Sequence, residues 1–481
     1  MADAPGALLL APRAEADPLP VVPAAPPDWH DALRRAAPLL PVLAVVALLA
    51  VPVTGPAGDG SAGSGTVADA ASALLVVFCL VRVLRERARP LTRTAALVLG
   101  LPVFGVCVAA ITSYDPVSSL PGVARYLQIF VLVPGALLLL IRDRRDFRLV
   151  ASSMVALALV QGLIGVVQYL TGTGASYMGE DVRAVGTFGP TDVMGMATVV
   201  SYGLVTAVGL ALGARPGSGR RQRAAALGCA ALLFLPLVLS FSRGAWIATV
   251  VAVTLQLALS GLRRAARVAL VAAALGVVLV GGLGIGTQMV SERLGSITEV
   301  TEAPDRSVTD RYTMWAAAAG MWRTDPVTGV GLKGFPAYRD SHSSIALSSG
   351  SDTAGAGMGF QRQPLLSPHN MYLLILSEQG LLGLLALAGS WAALLVLALR
   401  RLPGARRGRR GVDCALVGAG LLIWQLVDFG YADIGGPSTV LTAVMLGLAA
   451  WWALGGPVRG IVPGPGAAAG HGGANRAAGA A

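Results

Sequence analysis

Arg142-Asp-Arg-Arg-Asp-Phe-Arg148 is followed by twenty-two residues, Leu149 to Leu170, without a single charge. About 20 apolar residues of helix cross the hydrocarbon core of a bilayer. Clusters of Lys and Arg beside such a run mark its cytoplasmic end. This stretch therefore indicates both a fold class and an orientation: a membrane helix entered from the cytoplasm at Arg142–Arg148. Its pattern recurs along the 481-residue chain, which is 54% hydrophobic, only 13% charged and has a mean hydropathy of +0.67. An average soluble chain carries about 25% charged residues. Soluble enzymes, disordered chains and secreted disulfide scaffolds are excluded.

Apolar runs predict twelve spans, at about 38–54, 66–84, 94–112, 121–141, 148–170, 190–213, 224–241, 244–261, 266–287, 370–399, 412–427 and 437–455. The expected class is all-α, a polytopic integral membrane protein. It divides into a disordered cytoplasmic tail (1–37), transmembrane helices 1–9 (38–287), a long extracytoplasmic loop (288–369), helices 10–12 (370–455) and a second disordered tail (456–481). With both termini inside, twenty-seven of the thirty-seven Lys and Arg fall on the cytoplasmic side and ten outside. The net charge of +11 is thus a topology signal and not a nucleic-acid footprint. Thirty-six Arg against one Lys, with abundant Ala and Gly, suggests a GC-rich bacterial genome. The four cysteines, Cys79, Cys107, Cys229 and Cys414, have no metal or redox spacing.

The long loop opens acidic, with Glu292, Glu299, Glu302, Asp305 and Asp310. A helix is predicted from Thr309 to Thr324, started by Ser307 with Asp310. Its Arg311, Trp315 and Trp322 share a stripe suited to the outer membrane surface. The stretch 341–359, with six Ser and four Gly, reads as flexible. No metal site is expected: Asp340, His342 and Asp352 fall in or beside that stretch without ligand spacing, and no motif for ATP or a dinucleotide is present.

Charge at the membrane edge is costly and marks function. Arginines on the outer side oppose the orientation bias, so they are the informative ones. Arg243 lies in Ser240-Phe-Ser-Arg-Gly-Ala-Trp246, a tight polar break between two spans. Arg125 opens the fourth span, Arg183 precedes the sixth, and Arg311 lies on the loop helix. Together they form a positive cluster suited to phosphate. Each also has a bland reading as a snorkelling anchor. His369, in Ser367-Pro-His-Asn-Met-Tyr372, is expected in the first turn of a helix facing outward, with Ser367 as N-cap and Pro368 at the first helical position. There it could accept a proton. Glu378 is expected on the opposite face and is read as structural. Asp428, in Asp428-Phe-Gly-Tyr-Ala-Asp433, could orient the histidine or be an ordinary loop residue.

Taken as a set, these pieces resemble the O-antigen ligase family, which includes O-antigen polymerases. The matching residues are Ser240–Trp246, Arg311 with Trp315, Asp325-Pro-Val-Thr-Gly-Val-Gly331, Phe335, Pro368–Leu373 and Glu378-Gln-Gly-Leu-Leu-Gly383. The resemblance implies a metal-independent glycosyltransferase of the bacterial cytoplasmic membrane, needing no cofactor. Its partners would be an undecaprenyl-diphosphate-linked glycan as donor, a lipid, polysaccharide or protein acceptor, and membrane lipid, with no nucleic acid. It also implies diphosphate binding by Arg243 and Arg311 and an essential His369; the outer-side charge reading adds Arg125 and Arg183 to the expected diphosphate set, and Asp428 joins His369, Arg243 and Arg311 as an expected catalytic residue. The main competing class is a transporter or flippase for a lipid-linked or anionic precursor. Such proteins usually show repeated halves and midplane charge, and this chain shows neither. A scaffold subunit would leave Arg243 and His369 without a role.

Overall fold

Residue by residue, helix boundaries follow from which side chains can satisfy the free ends. The computed structural model describes residues 36–52, 65–86, 91–177, 183–214, 220–263, 265–267, 270, 306–343, 351–355, 361–363, 366–408 and 410–455. Met1–Pro38 is a unit by itself, described only at 36–38, and Leu39–Ala481 is a second. Within the second unit the helices are α1 (Leu40–Leu48), α2 (Val67–Glu86), α3 (Arg93–Ile111), α4 (Pro116–Leu140, with a π-helical stretch at Gln128–Leu132), α5 (Arg144–Thr171), α6 (Gly195–Gly213), α7 (Arg220–Leu239) and α8 (Arg243–Ser260). They continue as α9 (Arg306–Thr324), α10 (Phe335–His342), α11 (Met371–Arg407), α12 (Val412–Asp428) and α13 (Thr439–Leu454).

In the opening stretch, Asp143 caps α5 by accepting from the N–H groups of Arg145 (2.7 Å) and Asp146 (2.9 Å). Gly172, at φ 68°, ends the helix. One face of α5 buries Val150, Met154, Ala158 and Gln161, whereas Leu149, Val160, Leu163 and Leu170 are exposed. An apolar outer face on so many helices fits lipid as solvent. Among the described residues, eight helices, α2 to α8 and α11, are long and apolar enough to cross a membrane; α1 and α13 are shorter apolar helices. A helix stands at eleven of the twelve expected spans, and the ninth, 266–287, lies almost wholly outside the described residues. Both tails, apart from residues 36 and 37, lie outside them too. At the centre α6, α12 and α13 are buried nearly all round. Helices α5, α7 and α8 pack on α6, while α11 packs on α3, α12 and α13.

Several expectations need correction. Strand β1 (Ala175–Tyr177) pairs antiparallel with β2 (Ser351–Gly355), which pairs antiparallel with β3 (Gln361–Gln363). Among the described residues the chain is therefore helical apart from this small sheet, whose central strand β2 lies inside the stretch read as flexible. Ser and Gly supply no alternating apolar signal, so only backbone pairing reveals it. Asp340 and His342 lie on α10, not in that segment. Helix α9 starts at Arg306, so Ser307 is inside it. The α9 face that buries Met314, Ala317, Ala318 and Met321 packs on protein, against α10 and α11.

Candidate functional site

Helix α11 is broken at Gly380, where φ is 62° and ψ −161°. The backbone groups freed there are satisfied by the segment Pro326–Gly331. Leu381 N–H donates to the Pro326 carbonyl (2.9 Å) and Leu382 N–H to that of Val327 (3.1 Å). In return Val330 N–H donates to Ser377 (2.9 Å) and Gly331 N–H to Glu378 (3.1 Å). Glu378 is buried and accepts from Phe335 N–H at 3.2 Å. The motif Asp325–Gly331 is thus a backbone strap across a bent helix. The bend sets the direction of the half-helix Met371–Gln379, at whose start the histidine lies.

His369 does not occupy the first turn of that helix. Asn370 is the N-cap, its Oδ1 accepting from Leu373 N–H at 3.0 Å, and His369 precedes it in the left-handed region at φ 48°. Pro368 is therefore outside the helix as well. Three elements hold this segment. Trp315 Nε1 on α9 donates to the Pro368 carbonyl (2.9 Å). Asn370 Nδ2 donates to Gly430 O (3.0 Å), and Met371 N–H to Phe429 O (2.9 Å) and Ala432 O (3.1 Å). Ser367 Oγ donates to the Asp433 carboxylate.

Burial pushes the His369 imidazole below the ordinary histidine value, Asp433 opposes that, and Arg311 adds to it. The net direction favours a neutral ring at neutral pH, able to accept a proton. The carboxylate acting on His369 is thus Asp433, not Asp428. Asp428 is buried at the end of α12, 3.5 Å from Gln425 Nε2, in a polar knot with Tyr202 and Thr442. The clue was in the sequence, since Asp433 closes the same hexapeptide. What was hidden is that Phe429 to Ala432 turn away from α12 and fold over the histidine segment.

The Arg243 turn is as tight as expected: α7 ends at Leu239 and α8 begins at Arg243. Phe241 adopts φ 51°, and Ser242 caps α8 by accepting from Ala245 N–H (3.4 Å). Trp246 Nε1 folds back onto Leu237 O (2.7 Å). Gly244 lies against Tyr431, close enough that a Cβ would stand 2.9 Å from the tyrosine Cβ. Ala184 N–H donates to Leu239 O (3.3 Å), which brings Arg183 to the same turn. So the loop 429–433 meets the Arg243 turn on one side and His369 on the other. Arg125 is placed differently. Its guanidinium pairs with Asp69 and donates to Gln128 Oε1 (3.1 Å) and to the Gly436 carbonyl (3.1 Å).

Among the described residues no three His, Cys, Asp or Glu side chains are placed to share a metal ion, and all four cysteines are free. The helices and this junction define a multi-pass helical membrane protein with a cationic, histidine-bearing site built from five separated segments. Residues 228–388 match the family model described as O-Antigen ligase. The match starts in α7 and ends in α11, so it covers Arg243, Arg311, the strap and His369. No curated protein matches the chain.

Proposed function

We propose that this protein is a membrane glycosyltransferase of the ligase type. It moves a glycan from an undecaprenyl-diphosphate-linked donor to an acceptor hydroxyl at the outer face of the cytoplasmic membrane. Arg243, Arg311 and Arg183 take the diphosphate, stabilising the charge that develops as the sugar C1–O bond breaks. His369 accepts the acceptor's hydroxyl proton as the new C1–O bond forms. Asp433 orients His369 and steadies its charged form afterwards. The observation that carries this reading is the junction at residues 429–433, where the Arg243 turn, the Trp315–Pro368 contact beside Arg311 and the His369 segment meet. Deletion of the gene followed by analysis of carrier-linked and transferred glycan is the test. Full-length glycan retained on its lipid carrier is expected, with rescue by the wild-type gene but not by His369→Ala. Short unpolymerised units would assign polymerisation instead, and unchanged glycan would refute transfer.

A further inference from the structure

The proposed donor set omits Arg125, although it is an arginine on the same side. Its partners explain why. The ion pair with Asp69 leaves only 23% and 18% of the two side chains exposed. Gln128 Nε2 donates both to Asp69 Oδ1 (3.0 Å) and to Ser72 Oγ (2.7 Å), completing the ring of contacts. The second terminal nitrogen of the guanidinium, Nη2, donates to the Gly436 carbonyl (3.1 Å). From another side Asp192 reaches the same corner and accepts from Ser438 N–H at 3.0 Å. The two pack so tightly that a Cβ on Gly436 would stand 2.8 Å from Asp192 Cβ. This corner lies three to five residues beyond Asp433.

We infer that Arg125 and Asp192 are positioning residues that clamp the Gly436–Ser438 corner and thereby set where the Asp433 carboxylate stands relative to His369. The inference rests on the role proposed above for His369. Among the described residues, the charged groups that act on His369 are Arg311 on α9 and Asp433 on the α12–α13 loop; its own segment, Ser367–Asn370, carries no other. A carboxylate held beside an imidazole favours the protonated ring. Loosening the clamp therefore lowers the titration midpoint of His369, whereas loss of a phosphate ligand would not.

The midpoint is read directly by histidine NMR on the full chain in detergent, with the His369 signal identified by its disappearance in His369→Gln. Asp433→Asn should lower the midpoint by about one pH unit, the low end of what a neighbouring opposite charge does. Removing one partner of a buried ion pair leaves an unpaired charge and can unfold the chain. The clamp is therefore opened by the neutral pair Arg125→Gln/Asp69→Asn and, independently, by Asp192→Asn. Each should lower the midpoint by roughly half as much as Asp433→Asn. Neither should lower it further when Asp433→Asn is already present. If Asp433→Asn lowers the midpoint and both clamp variants leave it unmoved, Arg125 and Asp192 do not position Asp433. If Asp433→Asn itself changes nothing, the coupling is absent and the inference falls. Binding of undecaprenyl diphosphate in micelles supplies the other arm: affinity lost in the Arg125 variant with an unmoved midpoint would make Arg125 a donor ligand. Because the midpoint needs no turnover, it stands or falls separately from the assignment of glycosyl transfer.

Discussion

Gly380→Ala should disable the protein through the strap rather than through any contact with substrate. At φ 62° and ψ −161° Gly380 sits in a region essentially reserved for glycine, and a side chain there costs about 1–3 kcal/mol. The added Cβ would also run into the Val327 carbonyl and come within 2.6 Å of Thr328 N, so the strap must move. Moving it loosens the bonds from Leu381 to Pro326 and from Leu382 to Val327, at roughly 1 kcal/mol each. The total is about 3–5 kcal/mol, with the half-helix Met371–Gln379 released from its angle. Gly404→Ala, in the same helix with no atom within 4 Å of the new Cβ, is the matched control and should gain a few tenths to about 1 kcal/mol. The assay is thermal unfolding in detergent, paired with transferred glycan in cells at equal expression. If Gly380→Ala melts together with Gly404→Ala and transfers normally, the bend is not what aims the histidine segment.

Arg243→Ala and Arg311→Ala should each lose most glycan transfer at normal expression, and Arg243→Lys should recover only part, because an ammonium keeps the charge without the two-pronged geometry; near wild-type transfer in both Ala variants would sink the diphosphate role. His369→Ala should cost about 10²–10⁴ in rate while leaving donor binding intact, as expected for a lost general base, and a fully active His369→Gln would reduce the residue to a spacer. Since the neutral ring is the working form and its midpoint is held down by burial and Arg311, transfer should fall as pH drops through that lowered midpoint, and in Asp433→Asn the fall should come at still lower pH. A cysteine beside Arg144 should be protected from a membrane-impermeant reagent added outside, with one beside Trp322 labelled; the reverse pattern would invert the topology.

Most of the helical architecture could be read from one dimension because its causes are local. An uncharged run such as Leu149–Leu170 is long enough to cross a bilayer, and Asp143 caps the helix from the residue next to it. The tight Arg243 turn is local in the same sense, with Ser242 and Trp246 bonding within the turn and its flanks. Misreadings fall where partners are distant in sequence. The β-pairing of Ser351–Gly355 depends on Ala175–Tyr177, which no window of neighbouring residues contains. The expected start of α11 lies three residues too early because Ser367 looks like a cap, yet its hydroxyl goes to Asp433, leaving Asn370 to cap.

The arginines make the same point about function. Arg125 and Arg243 look alike in the sequence: each lies on the outer side, near the end of an apolar run. The structure pairs Arg125 with a carboxylate fifty-six residues away in α2. A single helix cannot announce that, because an ion pair in a low-dielectric interior forms only when two helices pack in register. The two aspartates divide by the same logic. Asp428 still belongs to α12 and is drawn into the buried knot with Gln425, while Asp433, five residues on, is free of the helix and turns back over Ser367. Charge type and side of the membrane can nominate a site. Which nominees reach it is decided by pairing between helices, and here that pairing ties Arg125 to Asp69 and to the Gly436 carbonyl, in the frame around the proposed site.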